Sequence, residues 1–250
     1  MQHFFVPHEQ AGNSRIFITG EDVHHMKHAL RMKSGEELMV SDGNNLKYLC
    51  RLKGYETGND GAERAVLEIV RQEENDTELP SRIYLFQGLP KQDKMDLIVQ
   101  KSVELGVYKV IPVAMRRSVV KLSGEKADKK RRRWQEIAKG AAKQSGRGLV
   151  PEIEKVLFWE EALKMAENID VLLFPYELAE GISNTRQVIG GLQPGQSIGI
   201  FIGPEGGFEK TEAQEVQRAG AKAITLGKRI LRTETAGIAT LSMLMFQLEE

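Results

Sequence analysis

The spacing of apolar residues changes once along the chain. Up to about residue 70 these residues form short runs, and between Leu46 and Lys53 they alternate with polar ones in a period close to two. That period is typical of strands in a half-buried sheet. From residue 82 onward, compact apolar runs alternate with longer amphipathic stretches. This second pattern predicts an α/β domain with a parallel sheet, preceded by a smaller β unit.

The first part of the chain is predicted to form a small, mostly β domain. Asp42–Gly43 precede the alternating run and indicate a hairpin. Residues 19–23 (TGEDV) approximate a capping box, which predicts a helix that runs through three histidines to Arg31 and ends at Ser34–Gly35. The predicted strands are His3–Val6, Ile16–Ile18, Leu46–Lys53 and Val66–Val70.

A polar, acidic stretch that ends in Pro80 is predicted to link the two parts. We place the boundary so that residues 1–73 and 74–250 are the predicted domains. In the second domain, strand Arg82–Phe86, helix Asp93–Leu105 and strand Lys109–Ala114 form a predicted parallel βαβ unit. The helix is predicted to bury Met95, Ile98, Val99, Ser102 and Val103.

The stretch Ile198–Lys210 carries the strongest indication of a ligand site. An apolar strand is followed at once by the run GPEGGFEK and then by a predicted helix. Open α/β sheets bind ligands outside the carboxyl ends of such strands. A phosphate is disfavoured, because Pro204 removes a backbone donor, Glu205 adds negative charge, and no Lys-Ser/Thr follows. A cationic or neutral ligand suits this loop better, and a plain turn with a glycine pair is the alternative.

Two further apolar strands lie near this loop in the sequence. Ile169–Phe174 ends in Pro175, and Ala223–Leu226 is followed by the run GKRILRTETA. Together with residues 201–208 (FIGPEGGF), this run resembles the last two motifs of the SPOUT methyltransferases. More narrowly, it resembles the family that methylates N3 of a uridine in 16S RNA of the small ribosomal subunit. The segments that extend the resemblance over nearly the whole chain are Gly88–Asp96, Gln100–Gly106, Arg117–Val119, Arg133–Trp134, Gln144–Arg147 and Pro151.

The resemblance implies a PUA-like β-barrel followed by a SPOUT domain with a trefoil-knotted, mostly parallel sheet. It also implies S-adenosylmethionine as the cofactor, ribosomal RNA as the partner, and a homodimer. The implied cofactor-binding residues are Phe174, Pro175, Ile202, Gly203, Pro204, Glu205, Gly206, Leu226, Gly227, Ile230, Leu231, Thr235 and Ala236. Glycines permit close backbone approach, and the apolar side chains would flank the adenine. A purely structural use of Ile230 and Leu231 is the alternative.

Arg232 and Glu234 are the candidate catalytic residues. The anion of uracil spreads its charge onto O2 and O4, so a guanidinium that donates to a carbonyl would stabilise that charge as it develops. The alternative role of Arg232 is an ion pair with Glu234, and Glu234 alone would complement the dipole of its helix. The general base stays unassigned at this point.

Positive charge is concentrated in residues 116–147, which hold twelve Lys or Arg and three acidic residues, a net charge of +9. The run Lys129–Arg133 opens a helix predicted to continue from Trp134 to Lys143. An RNA-facing patch is one interpretation, since crowded cations repel each other without a polyanion, and a solvated helix face is the other. By resemblance, the RNA-binding residues are Arg31, Lys91, Lys94, Arg117, Gln144 and Arg147.

The composition of the chain limits the kinds of disulfide and metal site that it can form. The chain has 250 residues, 41% of them hydrophobic, and a formal net charge of zero. A single cysteine, Cys50, excludes a disulfide framework and a cysteine-based metal site. All five histidines lie within the first 28 residues, and the spacing of His24 and His28 is read as an exposed helix face rather than as a metal site. We therefore expect no metal.

The first and last segments of the chain carry two further predictions. The first ten residues lack the features of a signal peptide, and no apolar run is long enough for a membrane helix, so a cytoplasmic protein is expected. The predicted helix Glu234–Leu248 is apolar almost all round, which favours a subunit interface.

Other functions compete with uracil methylation. A SPOUT enzyme that methylates the ribose 2′-hydroxyl would use the same donor. A non-catalytic RNA-binding or assembly factor would use the basic segment alone. A nucleotide-phosphate enzyme is disfavoured by Pro204 and Glu205.

Overall fold

A computed structural model describes residues 1–8, 14–43, 45–58, 61–74, 76–177, 179 and 181–249. The chain forms two compact units, one made of residues 1–78 with 142–150 and the other of residues 79–141 with 151–250. The predicted boundary at residue 73 lies at the end of the last strand of the first unit. No local pattern in the sequence indicated that residues 142–150 belong to that unit.

The first unit contains one five-stranded sheet. The strands are β1 (His3–Phe5), β2 (Arg15–Thr19), β3 (Glu37–Ser41), β4 (Leu46–Thr57) and β5 (Glu63–Glu74). Their order is β1-β3-β4-β5-β2, with β1 parallel to β3 and every other pairing antiparallel. The hairpin predicted at Asp42–Gly43 is confirmed, because the antiparallel strands β3 and β4 flank it. The sequence prediction missed β3 itself.

One helical segment packs against this sheet, and its predicted form was wrong. A single α-helical turn, α1 (Glu21–His24), continues as a wider π-helical turn over His25–Ala29. The predicted capping box is absent, because Gly20 precedes α1 with φ of 70° and no side chain caps the helix. The wide turn allows Met26 and Met32 both to reach the core, while Arg31 adopts φ of 53° on the surface.

Residues 142–150 are held within the first unit by two ion pairs, one of which is buried. The Arg147 guanidinium is only 3% exposed, and its Nε donates to both carboxylate oxygens of Glu78 at 3.2 Å. Lys143 pairs with Asp22 at 2.6 Å. Burying Arg147 against a carboxylate satisfies its charge internally. The structure thus gives Arg147 a role within the first unit, and its RNA-binding role stays a prediction.

The second unit contains a seven-stranded sheet in which every pairing is parallel. The strands are β6 (Arg82–Gly88), β7 (Lys109–Ala114), β8 (Glu152–Ile153), β9 (Leu157–Phe158), β10 (Val171–Pro175), β11 (Ser197–Ile202) and β12 (Lys222–Ile224). Their order is β12-β10-β11-β6-β7-β8, and β9 also pairs with β7. The predicted α/β class with a mostly parallel sheet is confirmed.

Helices connect these strands. They are α2 (Lys94–Glu104), α3 (Gly124–Ser145), α4 (Trp159–Ala166), α5 (Ile182–Gly190), α6 (Lys210–Arg218) and α7 (Thr233–Leu248). The predicted buried side of α2 is confirmed for all five of its residues. Helix α3 begins at Gly124, before the predicted start, because the polar residues that precede the basic run also adopt helical backbone.

Aromatic side chains pack against the middle of the parallel sheet. Phe86 on β6 stacks on Phe201 on β11, with ring centroids 4.4 Å apart and planes within 8°. The Trp159 ring meets Phe201 edge-on at 5.6 Å, and its Nε1–H donates to Glu215 at 2.7 Å. Aromatic pairs of this geometry add to the free energy gained from burial. This packing supports β6 and β11 near their carboxyl ends.

Candidate active site at the carboxyl ends of the parallel strands

A cleft lies where β10 and β11 end and α7 begins. Its larger cavity, of about 450 Å³, is lined by the segments 175–177, 202–208 and 230–233, with Lys94, Arg117 and Ala236. A smaller cavity of about 280 Å³ adds residues 225–229 and shares part of the same wall. Together they have the size of a small-molecule site. Both cavities lie at the edge of the sheet that the sequence analysis chose for the ligand site.

Close contacts within the chain shape the loop between β11 and α6. A Cβ atom on Gly203 would lie 3.0 Å from the backbone of Gly207, and one on Gly206 would lie 3.1 Å from the Arg117 Cβ. A Cβ on Gly88 would lie 2.7 Å from the backbone nitrogen of Pro204. A side chain at Gly88 would therefore force Pro204 to shift, and one at Gly203 or Gly206 would press on its neighbours, whether or not a ligand is bound.

Glu205 faces a lysine rather than standing alone in the loop. Its carboxylate accepts the Lys91 backbone N–H at 3.0 Å and lies 3.1 Å from Lys94 Nζ. Burial acts to raise the pKa of Glu205, but the hydrogen bonds from backbone N–H groups and from Lys94 outweigh it and lower that pKa. The sequence interpretation left this carboxylate available to a cationic ligand, whereas the structure uses it to hold the start of α2.

Lys94 also reaches a second carboxylate. Its Nζ lies 3.3 Å from Glu234 Oε2, an ion-pair distance that lacks hydrogen-bond alignment. The carboxylates of Glu205 first and then of Glu234 raise the pKa of Lys94, so its ammonium stays charged at neutral pH. Lys94 therefore links the β11 loop to the first turn of α7.

Arg232 is left unpaired on the wall of the larger cavity. It is exposed, and in the described part of the chain no carboxylate or other acceptor contacts its guanidinium. The alternative in which Arg232 pairs with Glu234 is not what the structure shows, since the ion-pair partner of Glu234 is Lys94. Arg232 therefore presents a free donor. Glu234, two residues further along the chain, is partly buried and paired with Lys94.

Most of the predicted cofactor residues surround the cleft. Phe174 is completely buried beneath it, and Thr235 is exposed away from the walls of both cavities. The predicted residues that line one or both cavities are Pro175, Ile202, Gly203, Pro204, Glu205, Gly206, Leu226, Gly227, Ile230, Leu231 and Ala236. The prediction missed Tyr176, Glu177, Gly207, Phe208 and Thr233. Tyr176 and Glu177 could have been found, because they directly follow the end of a predicted strand.

The residues predicted to bind RNA are dispersed. Lys94 and Arg117 line the larger cavity, and the Arg117 guanidinium donates to the Gly206 carbonyl at 2.9 Å. Lys91, Gln144 and Arg31 are exposed. Only part of this set is therefore gathered at the cleft.

The basic run of α3 is partly used within the second unit. Lys130 pairs with Asp93 at 3.2 Å, and Arg133 donates to Asp96 through two nitrogens. Trp134 Nε1–H donates to the other oxygen of Asp96 at 3.1 Å. The run consequently anchors α3 to α2 as well as presenting charge to solvent.

The comparisons with known proteins agree with this geometry. A model described as an RNA methyltransferase domain matches residues 77–245, and one described as an RNA methyltransferase PUA domain matches residues 18–54. The Bacillus subtilis ribosomal RNA small subunit methyltransferase E is 36% identical over 100% of this chain and 98% of its own length. The chain belongs to this RNA methyltransferase family.

Solved structures of similar proteins also match along the whole chain. The Neisseria gonorrhoeae ribosomal RNA small subunit methyltransferase E, bound to S-adenosyl methionine, is 34% identical with a TM-score of 0.83. It covers 98% of this chain and 97% of its own. A Legionella pneumophila methyltransferase in complex with the cofactor SAM is 29% identical, with a TM-score of 0.84 and coverage of 98% and 96%.

Two kinds of feature are absent from the described residues. No group of three or more His, Cys, Asp or Glu side chains has the arrangement of a metal site there. Among the same residues, no helix combines the length and apolarity that a membrane span requires. The His24 and His28 rings lie 4.5 Å apart, tilted by 38°, on the exposed side of their helical segment.

The lowered pKa of Glu205 predicts a pH-dependent contribution to stability. Because the folded-state pKa lies below the ordinary value of 4.5, ionised Glu205 stabilises the fold above that value. This stabilisation is lost as the pH falls through the folded-state pKa. We expect Glu205→Gln to lower the free energy of unfolding at pH 7 and to have a progressively smaller effect as the pH falls below 4.5.

Urea unfolding at a series of pH values measures this difference. Glu136→Gln on the exposed surface of α3 is the control, and it should change stability little at any pH. A Glu205→Gln deficit that stays constant from pH 7 to pH 3 would contradict the role given to its charge.

Proposed function

We propose that this protein transfers a methyl group from S-adenosylmethionine to N3 of a uridine in the 16S RNA of the small ribosomal subunit. The observation that carries the proposal is the unpaired Arg232 guanidinium on the wall of a cleft at the carboxyl ends of parallel strands. Membership of the RNA methyltransferase family supports methyl transfer to RNA. Because ribosomal RNA is the proposed acceptor, the cytoplasm is the proposed place of action.

The cleft suits the proposed donor. Pro175, Ile230, Leu231 and Ala236 form an apolar wall common to both cavities, which fits a flat adenine ring. The Glu177 carboxylate lies on the same wall and suits a positively charged ligand. When bound, S-adenosylmethionine supplies an electrophilic methyl group on a sulfonium. The protein residues then have to orient that methyl group toward the acceptor and exclude water.

The acceptor side requires removal of a proton and stabilisation of charge. As the N3 lone pair bonds to the methyl carbon, the bond from that carbon to sulfur breaks and the N3 proton leaves. Arg232 is proposed to donate to a uracil carbonyl, where negative charge develops. Lys94, which stays protonated, adds positive potential to the cleft. Glu234, which lies in the first turn of α7 and is ion-paired with Lys94, is proposed to take the proton.

RNA binding is proposed to involve exposed residues of both units. Lys91, Lys94 and Arg117 in the second unit are retained from the family resemblance, as are Arg31 and Gln144 in the first. Phosphate contacts of this kind position the nucleic acid, while the cleft would select the base. In α3, Lys129 and Arg132 are exposed and have no partner among the described residues, so they are better candidates for phosphate than Lys130 and Arg133.

Three finer features of the fold belong to the same proposal. We infer that the sheet of the first unit closes as a PUA-like barrel, which the match to the RNA methyltransferase PUA domain supports. We also infer a trefoil knot in the second unit. The support is the path of the chain after β12, which leads α7 back to pack on β11, α2 and α5.

The third feature is a homodimer. On α7, the Phe246 side chain is 87% exposed, and Ile182 on the neighbouring α5 is 46% exposed. Met243 and Met245 are half-buried on the same helix. Exposed apolar groups on adjacent helices are typical of a subunit contact. We propose that a second copy of the chain covers them.

Mapping of the methyl group tests the function. Ribosomal RNA from cells with and without the protein should differ by one methyl group on the base of a single uridine of the small subunit, detected by mass spectrometry of nuclease fragments. A methyl group on a ribose would indicate 2′-hydroxyl methylation instead. Unchanged RNA, together with no binding of S-adenosylmethionine by calorimetry, would favour a non-catalytic RNA-binding role.

Arg232 provides a second test. Arg232→Ala should lower turnover by about 10²–10³, the usual effect of losing one preorganised donor to developing charge. Donor affinity should stay close to that of the parent, because Arg232 is proposed to contact the acceptor and not the donor. Arg232→Lys should recover only part of the rate, since a point charge cannot reproduce the planar fork.

Single-turnover rates and calorimetric donor affinity give both quantities for each variant. Arg218→Ala, at the exposed end of α6, is the matched control and should keep the parent rate. Normal turnover in Arg232→Ala, or a loss explained entirely by weaker donor binding, would remove Arg232 from the acceptor site.

The dimer proposal predicts that a charge at Phe246 disrupts association. Phe246→Glu should shift the protein from dimer to monomer in sedimentation velocity experiments at micromolar concentration. Phe158→Glu introduces the same change at a side chain that is 66% exposed elsewhere in the second unit, and it should leave the dimer intact. A parent protein that sediments as a monomer would refute the proposal.

A further inference from the structure

A buried chain of hydrogen bonds joins three backbone segments at the floor of the cleft. Gln87, on β6, is fully buried, and its Nε2 donates to Thr233 Oγ1 at 2.9 Å. Thr233, the first residue of α7, donates its hydroxyl proton to the Gly203 carbonyl at 2.7 Å. Gly203 is the first residue of the loop after β11. One side-chain amide and one hydroxyl thus connect β6, β11 and α7.

The direction of this chain is fixed by its chemistry. A backbone carbonyl can only accept, so the single hydroxyl proton of Thr233 must point to Gly203. Thr233 Oγ1 then receives one Gln87 amide proton, and the other goes to the Gly88 carbonyl at 3.0 Å. Both amide protons are used, which leaves Gln87 Oε1 without a partner in the described part of the chain.

That unpartnered acceptor has a cost in stability. A buried carbonyl oxygen without a hydrogen bond destabilises the fold, and an apolar side chain of the same size would avoid the penalty. A Cβ atom on Gly237, in the second turn of α7, would lie 3.6 Å from Gln87 Oε1, so α7 passes close above the amide. A polar residue in such a site is expected to have a role other than stability.

The residues joined by the chain flank the proposed catalytic groups. Thr233 and Gly203 both line the larger cavity, and Thr233 lies between Arg232 and Glu234 in the sequence. Helix α7 has no side-chain cap at its first turn. The Thr233–Gly203 hydrogen bond therefore ties that turn to the end of β11.

We propose that Gln87 and Thr233 are positioning residues, which hold Arg232 and Glu234 at the correct distance from the loop that begins at Gly203. The inference rests on the proposed function and adds two residues that act through others. Catalytic groups must be held to within a fraction of an ångström of the productive geometry, so a loosened first turn of α7 would slow transfer more than it weakens donor binding.

A set of four variants tests the proposal. Thr233→Val keeps the shape and removes the hydroxyl, whereas Thr233→Ser keeps the hydroxyl. Gln87→Met replaces the amide with an apolar side chain of similar size. Thr240→Val is the matched control, because Thr240 is equally buried in α7 but its hydroxyl donates only to Ala236 of the same helix, at 2.8 Å.

The expected pattern separates positioning from simple stability. Thr233→Val and Gln87→Met should each lower the single-turnover rate at saturating donor by about tenfold, the equivalent of one hydrogen bond. Thr233→Ser should stay within about twofold to threefold of the parent, because the hydroxyl is retained. Thr240→Val should keep the parent rate although its melting temperature falls. The double variant should be no slower than the slower single variant, since both changes break one chain.

Other outcomes would overturn the proposal. If Thr233→Val behaves like Thr240→Val, or if rates follow melting temperatures across the set, the chain is only structural. If Thr233→Val does not fold, Gln87→Met and Thr233→Ala decide by the same criteria. A parent protein that binds donor but transfers no methyl group would count against the proposed function itself, whereas an active parent with unaffected variants would count against this inference alone.

Discussion

Parallel pairing of β6 with β11 is the constraint on which the site depends. Their register runs from Arg82 opposite Ser197 to Gln87 opposite Ile202, so both strands end at the same edge of the sheet. Parallel strands place their following loops side by side, and here the two loops touch at Gly88 and Pro204. The stacked rings of Phe86 and Phe201 hold this pair of strands in place from one face. Any shift of register would separate the cleft from its floor.

Charge within the cleft is largely balanced by the protein. Lys94 lies between Glu205 and Glu234, so the two carboxylates of the loop and of α7 share one ammonium. The Arg117 guanidinium is likewise bound to a backbone carbonyl of the loop. Arg232 differs from these cations, since nothing in the described residues satisfies it. An unsatisfied donor beside a balanced cluster is what a site needs in order to stabilise charge that appears only during reaction.

The basic segment shows how a charge count and a structure can differ. Its net charge of +9 left two interpretations open, an RNA-facing patch and a solvated helix face. In the structure, Lys130 and Arg133 bind acidic residues of α2, and Arg147 is buried against Glu78. Ion pairs with residues distant in sequence cannot be seen in a local count. The charge that is left for phosphate is smaller and more dispersed than the sequence indicates.

The sequence by itself determined the class of the fold, the position of the glycine-rich loop after β11 and the apolar strands that lead to it. Those features follow from local patterns, namely the period of apolar residues and the glycines and prolines that end strands. It missed β3 and the form of the helical segment around His25, where packing of Met26 and Met32 overrides local capping preference.

Only the tertiary structure decided which groups in the cleft are free. The pairing of Glu205 and Glu234 with Lys94, the burial of Arg147 and the link from Gln87 to Thr233 join residues that lie far apart in the sequence. Each depends on distances of a few ångströms between separate elements, and such distances are set by how the sheet and helices pack. The sequence could therefore name the residue types needed for the proposed chemistry, while packing assigned each of them its partner.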